Sequence, residues 1–271
     1  MNSIVKILAS LILVVSFLNL SSCSNEEKKN EKIVSTKLSQ EDAMNAEMQA
    51  IDQEAEAVGK VASSLRFTLE NGEFIVVTAH LSEKNEILKI EEDFDDGQKG
   101  NAGKNTFYLK DGKVFLTREY IDDRSKLNSK QDSVSQFVER ISYYNKKEKV
   151  EKTIEKRVDF EDDLEDVSFV PVALHEAKID RAKRVLDQKD EFKITFQGLI
   201  NVNAIHFLIV GSSGQDAYTS AIRVDYEDKF IQTLLANQEK FMNRKIQVAF
   251  ENVVDQTGFQ YQSYIEGKFV E

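Results

Sequence analysis

Tryptophan is absent from this chain of 271 residues, and cysteine and proline occur once each. A single thiol excludes an internal disulfide framework and a metal centre built from several cysteines. The lack of tryptophan removes a common sugar-stacking side chain, although eight tyrosines remain. Glycine-rich phosphate loops and the G-x-S-x-G elbow of hydrolases are missing as well. The sequence therefore contains no catalytic motif, and we expect no cofactor and no bound metal.

Positive charge is the minority sign, because 36 lysines and arginines face 47 aspartates and glutamates and the formal net charge is −11. Lys6 is the only charged residue among the first 22, so residues 23–271 carry −12. Nucleic-acid binding needs clustered lysine and arginine to neutralise phosphates, and this balance argues against it. An acidic protein of this kind favours a cationic partner.

A long apolar run occurs at the N-terminus, where Ile7–Leu20 follows the single positive charge of Lys6. The run is shorter than the roughly 20 residues that a membrane-spanning helix needs, and it has the length of a signal-peptide core. The next residues, Leu20-Ser21-Ser22-Cys23, resemble the lipobox of bacterial lipoproteins. The resemblance implies that residues 1–22 are a signal peptide and that Cys23 carries lipid as the first residue of the mature protein. The alternative is an ordinary signal peptide with a cysteine there by chance.

A polar tract follows Cys23 and contains no apolar residue before Ile33. We interpret residues 23–38 as a flexible tether. Glu26 and Glu27 are similar to the acidic signal that sends some lipoproteins to the outer leaflet of the outer membrane. The resemblance implies a cell-envelope protein that is lipid-anchored in the outer membrane, with the membrane as a partner through its anchor. Display at the cell surface and a plain tether are the two alternatives for this tract.

Residues 39–170 are predicted to form a helix followed by an antiparallel β-sheet. Ser39 and Asp42 have the spacing of a capping box, and apolar residues then recur every three or four positions up to Ala62. From residue 65 to 160 the period is two, and turn signals such as Asp111-Gly112 separate the segments. The pattern indicates a meander of charged strands. The helix is predicted to pack on this sheet rather than to pair with a second chain.

The only proline, Pro171, follows an acidic run, and we place a domain boundary there, with 171–271 as the second domain. A helix is predicted first, and three strands, a helix and two strands follow from residue 190, with Gly198 as a bulge. This order resembles the OB-like modules of some envelope lipoproteins. The fold is therefore predicted to be mainly β with minor α, an antiparallel β-meander domain followed by a C-terminal OB-like barrel.

The histidines and the acidic clusters of the chain do not form a recognisable site motif. Three histidines lie in different segments without a second ligand at metal spacing: His80, His175 and His206. The aspartate-rich loop Asp93–Gly97 lacks EF-hand spacing, and ion binding there stays open. Glu119, Asp122 and Asp123 suggest a glycosidase pair, but an acidic chain produces such clusters by chance. A solvated strand edge is the simpler interpretation.

The candidate binding face is placed on the second and third strands of the OB-like module. On the third strand, Ile222 and Val224 are predicted to point into the barrel and Arg223 to point out. On the second strand both faces are largely apolar, so the pattern leaves the register open. We choose His206 as the outward residue, because it is polar and its neighbours Ile205 and Phe207 are not. The alternative is that Arg223 only pairs with a nearby carboxylate, Asp225 or Glu227.

These features favour a non-enzymatic binding or interaction module that lipid holds at the envelope, with a protein or a glycan as partner. Two alternatives stay open. One is an envelope enzyme that acts on glycans through paired carboxylates, and the other is an inhibitor or assembly protein that docks a basic partner through a sheet face. A pocket with converging carboxylates would indicate the enzyme, and a flat face would indicate the interaction classes.

Overall fold

The computed structural model describes residues 39–97, 100–127, 133–214 and 216–270. The predicted signal peptide, Cys23, and the tether with Glu26 and Glu27 lie outside these ranges. Within the ranges, no helix is both long and apolar enough to span a membrane.

The protein is mainly β with minor helices, as predicted, and its strands form one large, mostly antiparallel sheet that is not closed. The helices are α1 (Gln40–Val58), α2 (Asp180–Leu186), α3 (Lys229–Ala236) and α4 (Gln238–Phe241). The first nine strands are β1 (Lys60–Ser63), β2 (Phe67–Thr68), β3 (Phe74–Leu81), β4 (Ile87–Asp95), β5 (Ala102–Lys110), β6 (Lys113–Leu127), β7 (Ser133–Tyr144), β8 (Val150–Val158) and β9 (Val170–Pro171). The last five are β10 (Thr195–Val202), β11 (Ile205–Gly211), β12 (Thr219–Val224), β13 (Ile246–Val254) and β14 (Gln260–Phe269).

The strand order across the sheet is β10-β11-β12-β2-β3-β4-β5-β6-β7-β8-β9, with β1 paired to β3, β14 to β12, and β13 to β14. Strands β3 to β8 are neighbours in space in the order of the chain, so the predicted antiparallel meander is confirmed. Between β5 and β6, Asp111 and Gly112 have φ values of 51° and 73°. A type I′ hairpin turn requires positive φ at both positions, which explains the Asp-Gly pair.

Helix α1 begins where the sequence predicts it. The Ser39 side chain accepts a hydrogen bond from the Asp42 backbone N–H at 3.1 Å, which satisfies one of the free donors of the first turn. The helix ends at Val58 and is capped by Gly59, whose φ of 62° is the left-handed conformation of a helix C-terminus. Ile51 and Ala55 are buried, and Ile51 packs with Tyr108 and other apolar side chains of the sheet. The apolar seam of α1 therefore covers its own sheet, as predicted.

The C-terminal module has the predicted order of three strands, a helical segment and a closing hairpin. Strands β10, β11 and β12 form an antiparallel meander, Gly198 interrupts β10 as a bulge, and β14 pairs with β12 in parallel. The helical segment divides into α3 and α4 at Asn237. The Phe196 N–H donates to the Arg244 oxygen at 2.9 Å, which joins the start of β10 to the residues before β13. The five strands thus resemble a partly open OB-like arrangement.

One hydrophobic core includes residues from both sides of Pro171, and the described residues from Ser39 onward form one compact unit. Phe67 of β2 lies with its ring centroid 5.3 Å from that of Phe192, and both side chains are fully buried. Strand β2 also pairs with β12 through Thr68 and Thr219. The meander and the C-terminal module are therefore packed on a shared core, while Pro171 lies in β9 at the edge of the sheet.

We expect Phe67→Ala to lower the free energy of unfolding by about 3–5 kcal/mol, because it leaves a large cavity in the shared core. Urea unfolding followed by circular dichroism, with protein that begins at residue 24, measures this value. Phe160→Ala is the matched control: Phe160 is 72% exposed, and its loss should change stability by less than about 0.5 kcal/mol. Equal effects of the two substitutions, or two separate unfolding transitions, would contradict the shared core.

Candidate binding face

The outward side of the C-terminal sheet is the feature that departs most from an ordinary solvent-facing surface. In an antiparallel pair, directly opposite residues point to the same face. Leu208 lies opposite Ile222 and both are fully buried, so this pair marks the inner side. Phe207 lies opposite Arg223 and marks the outer side. We refer to the following residues as the outer face: Ile200, Val202, Ile205, Phe207, Ile209, Ala221, Arg223, Glu251, Val253, Tyr261 and Ser263.

Beyond Thr195 and Gln197 at the start of β10, the β10–β11 half of the outer face is apolar. Ile200 lies opposite Phe207, Val202 lies opposite Ile205, and Ile209 continues the row. Ile200 and Val202 are 49% and 48% exposed, and the three β11 side chains are half-buried. Antiparallel sheets with one wet face normally alternate apolar residues inward with polar residues outward. Here both sides are apolar, and a contiguous exposed apolar patch is typical of an interaction site.

Arg223 lies at the border of this apolar patch, and its position is fixed by three neighbours. Its Nε donates to Asp225 Oδ1 at 2.7 Å, and its guanidinium lies 4.8 Å from the centre of the Tyr261 ring. Ser263 Oγ in turn donates to Asp225 Oδ2 at 2.9 Å. The predicted alternative, a pair between Arg223 and Asp225, is therefore present, and Arg223 is still 33% exposed. Ile222 and Val224 point inward, as predicted.

His206 differs from the sequence prediction. It lies opposite Val224, and its side chain therefore belongs to the inner side of the strands. Its Nδ1 lies 3.1 Å from Glu227 Oε1 at the end of the strand, where the inner side meets solvent. His206 and Arg223 consequently lie on opposite faces, and Phe207 is the β11 residue beside Arg223. The polarity of His206 gives the wrong face because the inner side is open to solvent at the end of a strand and can accommodate a polar side chain.

The β13–β14 turn places an exposed aromatic side chain beside the outer face. Asp255 Oδ1 accepts hydrogen bonds from the N–H groups of Thr257 at 2.8 Å and Phe259 at 3.0 Å, which fixes the turn. The Thr257 side chain, together with these N–H groups, holds the pKa of the Asp255 carboxyl below its usual range, and the nearby charge of Arg223 acts in the same direction. Phe259 is 64% exposed and stacks on Tyr261, with ring centroids 6.3 Å apart.

Carboxylates surround Arg223 on this side of the module. Glu251 lies beside Ser263 on the outer face, and Asp225 and Asp255 both lie close to the guanidinium. The border of the apolar patch therefore carries more negative than positive charge, in line with the acidic balance of the chain.

The three carboxylates suggested as a glycosidase pair do not converge. Glu119 is buried and lies 3.4 Å from Arg140, with His175 at 3.1 Å on its other side. Asp122 and Asp123 bind different arginines, Arg124 at 2.7 Å and Arg157 at 2.9 Å. Successive residues of β6 point to opposite faces, so Asp122 is separated from the other two. The interpretation of a solvated edge is also wrong for Glu119, because a long-range ion pair buries it.

The acidic segment Asp93–Gly97, predicted to be a loop, belongs to β4 up to Asp95, and it directs its carboxylates at different cations. Asp93 lies 3.5 Å from Lys104, and burial raises the pKa of its carboxyl. Asp95 lies 3.2 Å from Arg124, and Asp96 lies 3.1 Å from Arg181. In the described part of the chain, no group of three or more histidine, cysteine, aspartate or glutamate side chains could hold a metal ion. The segment is held by arginine and lysine rather than arranged around a common centre.

A charged groove of about 620 Å³ lies on the meander beside the last turns of α1. Its floor includes Lys89, whose Nζ lies 2.8 Å from Asp52 and 2.9 Å from Glu91. His80 Nε2 lies 3.6 Å from the other oxygen of Glu91, and Lys104 lies 3.3 Å from that same oxygen. These hydrogen bonds and charges, acting against burial, keep the pKa of the Glu91 carboxyl below its usual range. Most charged groups of this groove bind each other, whereas His80 Nε2 and the Tyr120 hydroxyl are buried without a hydrogen-bond partner among the described residues.

Comparisons of the chain with protein-family models, with curated proteins and with solved structures found no match.

Two neighbouring substitutions on β12 test the assignment of inner and outer sides. Ile222→Ala should lower the free energy of unfolding by about 2–5 kcal/mol, because it opens a cavity in the core. Arg223→Ala removes an exposed ion pair and should cost about 0–1 kcal/mol. Denaturant unfolding of both variants gives the two values. An Arg223 variant as unstable as the Ile222 variant would mean that the register of β12 is misassigned.

Proposed function

We propose that the protein is a lipid-anchored module of the bacterial cell envelope that binds a protein partner through the outer face of its C-terminal sheet. The observation that carries this proposal is the row of five apolar side chains on the wet side of β10 and β11. Leaving such a patch in water is unfavourable, at about 25 cal/mol for each Å² of apolar surface. A partner that covers the patch recovers this free energy.

The chemistry of the patch supports a protein partner rather than a glycan or a nucleic acid. Aliphatic side chains dominate it, and they offer no hydrogen bonds to the hydroxyl groups of a sugar. The acidic border would repel phosphates. A protein with an apolar centre and basic residues around it would match both the patch and its border. Binding of such a partner corresponds to the alternative of an inhibitor or assembly protein that docks a basic partner through a sheet face.

The lipobox-like sequence supports a location at the membrane for this binding activity. Cys23 in the lipobox-like sequence would hold the module at the membrane, and two or three acyl chains anchor a protein far more stably than one. The acidic residues Glu26 and Glu27 support the outer membrane, with surface display as part of the proposal. For an enzyme on glycans, two carboxylates would have to face each other across the scissile bond. The arginine partners of Glu119, Asp122 and Asp123 do not favour that alternative.

Site-specific crosslinking in intact cells tests the binding face. We expect a photoreactive phenylalanine analogue in place of Phe207 to give a discrete crosslinked protein, because Phe207 lies at the centre of the apolar row. The same analogue in place of Phe160 is the control. Phe160 is exposed, and it belongs to a part of the sequence that does not contribute to this face. Substitution of Ile200→Glu should remove the product at position 207. The same crosslinked bands from both positions, or a product unaffected by Ile200→Glu, would contradict the proposal.

The anchor is tested separately. Cys23→Ala should abolish incorporation of a radioactive fatty acid, because the chain has no other thiol that could accept the lipid. The unprocessed precursor should accumulate and retain its first 22 residues. Cys23→Ser, which keeps nearly the same side-chain size but has no thiol, should behave in the same way. Equal labelling of the wild type and the two variants would rule out lipidation at this residue.

A further inference from the structure

Strand β13 has one side paired and one side open. It pairs with β14 along its whole length, from Ile246 to Val254. On the other side, pairing with the β10 region ends at its first residues, where Lys245 lies opposite Thr195 and the Ile246 N–H donates to the Ile194 oxygen at 3.2 Å. From Val248 onward, no strand in the described part of the chain lies along this side.

The edge of β10 is capped at one position, whereas no side chain caps the edge of β13 in the described residues. The Leu199 N–H of β10 donates to Gln238 Oε1 at 2.8 Å, so a side chain from α4 occupies that point of the edge. Along β13, Glu251, Asn252 and Val254 are exposed. The only proline of the chain, which could block an edge, lies in β9 at the far end of the sheet. An open row of backbone donors and acceptors in an exposed strand is a template for another strand.

We propose that the open edge of β13 binds an extended segment of a protein partner as an added strand. This inference rests on the proposed protein-binding function and names how the partner is recognised. Only another backbone presents donors and acceptors at the spacing of a strand edge, so the ligand class is a peptide in extended conformation. The added strand would extend the sheet directly beside the outer face.

The side chains of β13 define the sequence of that segment. Glu251 and Val253 belong to the outer face, while Phe250, Asn252 and Val254 point to the other side. A neighbouring strand places its side chains about 4.5–5.5 Å from those opposite. A basic residue beside Glu251 and apolar residues beside Phe250 and Val254 would match, so the segment alternates basic and apolar residues. A second copy of this chain, paired antiparallel about Glu251, would instead bring two carboxylates together.

The backbone geometry identifies a substitution that changes the edge alone. The Ile246 N–H points toward β10, and the N–H groups of a strand alternate in direction, so those of Val248, Phe250 and Asn252 point to the open edge. Asn252→Pro therefore removes one edge donor and leaves the hydrogen bonds to β14 in place. The Asn252 side chain accepts a hydrogen bond from Gln262 at 3.1 Å. Asn252→Ala loses this contact equally and keeps the edge N–H, which makes it the matched control.

The experiment uses the chain from residue 24 onward and an eight-residue peptide of alternating valine and lysine as the probe, with affinity measured by calorimetry. We expect the unmodified peptide to bind and the same peptide with alternate N-methylated amides not to bind. Asn252→Pro should weaken binding about tenfold, the loss of one well-formed hydrogen bond, and Asn252→Ala should leave it within about twofold. Glu251→Gln should weaken binding of this peptide and not of a valine–glutamine peptide. Circular dichroism confirms that each variant is folded.

Several outcomes would overturn the inference. They are no binding of the unmodified peptide, equal binding of the N-methylated peptide, and equal affinities of the proline and alanine variants. If the protein without peptide sediments as a dimer that Asn252→Pro dissociates, the edge serves a second copy and not a partner segment. The crosslinking result at Phe207 is independent of these measurements. A discrete Phe207 product with no peptide binding would remove the added strand and leave the proposed function, whereas absence of that product would remove the function itself.

Discussion

The burial of Phe67 against Phe192 is the constraint on which the rest of the structure depends. Strand β2 contributes only two residues, yet Phe67 belongs to the meander and Phe192 precedes the C-terminal strands. Phe192 also lies 4.8 Å from the ring of Tyr218, just before β12. Hydrogen bonds reinforce this junction, because the Gln262 amide of β14 donates to the Ser64 oxygen and accepts from the Arg66 N–H. The packing of the aromatic rings and the hydrogen bonds of the Gln262 amide to backbone groups thus set the position of the C-terminal strands on the meander.

This shared core explains why the outer face is left uncovered. The inner sides of the C-terminal strands pack on α3, α4 and the junction, so their apolar residues are committed to folding. The single helical segment of the module lies on that inner side, and Phe230 and Leu234 are buried there. Nothing comparable covers the outer apolar row in the described residues. Folding already uses the apolar inner side of these strands, and a second, exposed apolar side on the same pair is typical of an interaction site.

The sequence predicts elements well where local chemistry decides. The Asp111-Gly112 turn, the Ser39 cap and the Gly198 bulge each follow from the conformation that their residues favour. Tertiary features are less predictable because they depend on residues far apart in the chain. Glu119 is buried only because Arg140 and His175 reach it from two other segments. On β11, alternation could not fix the faces, since both sides are apolar, and the pairing with β12 was needed to place Phe207 outward.

The docking of α1 would have a mechanical consequence under the proposed anchoring at Cys23. Three ion pairs bind this helix across the sheet in the order Glu41–Lys152, Glu47–Lys110 and Asp52–Lys89. A pull on the residues before Gln40 enters the domain through the first turn of α1 and loads Glu41–Lys152 before the other two. A pull directed away from the sheet breaks the three ion pairs one after another. A pull directed along the helix axis loads all three at once in shear. With the proposed anchor, the ion pair of Glu41 near the start of α1 would therefore carry load before the buried side chains of Ile51 and Ala55.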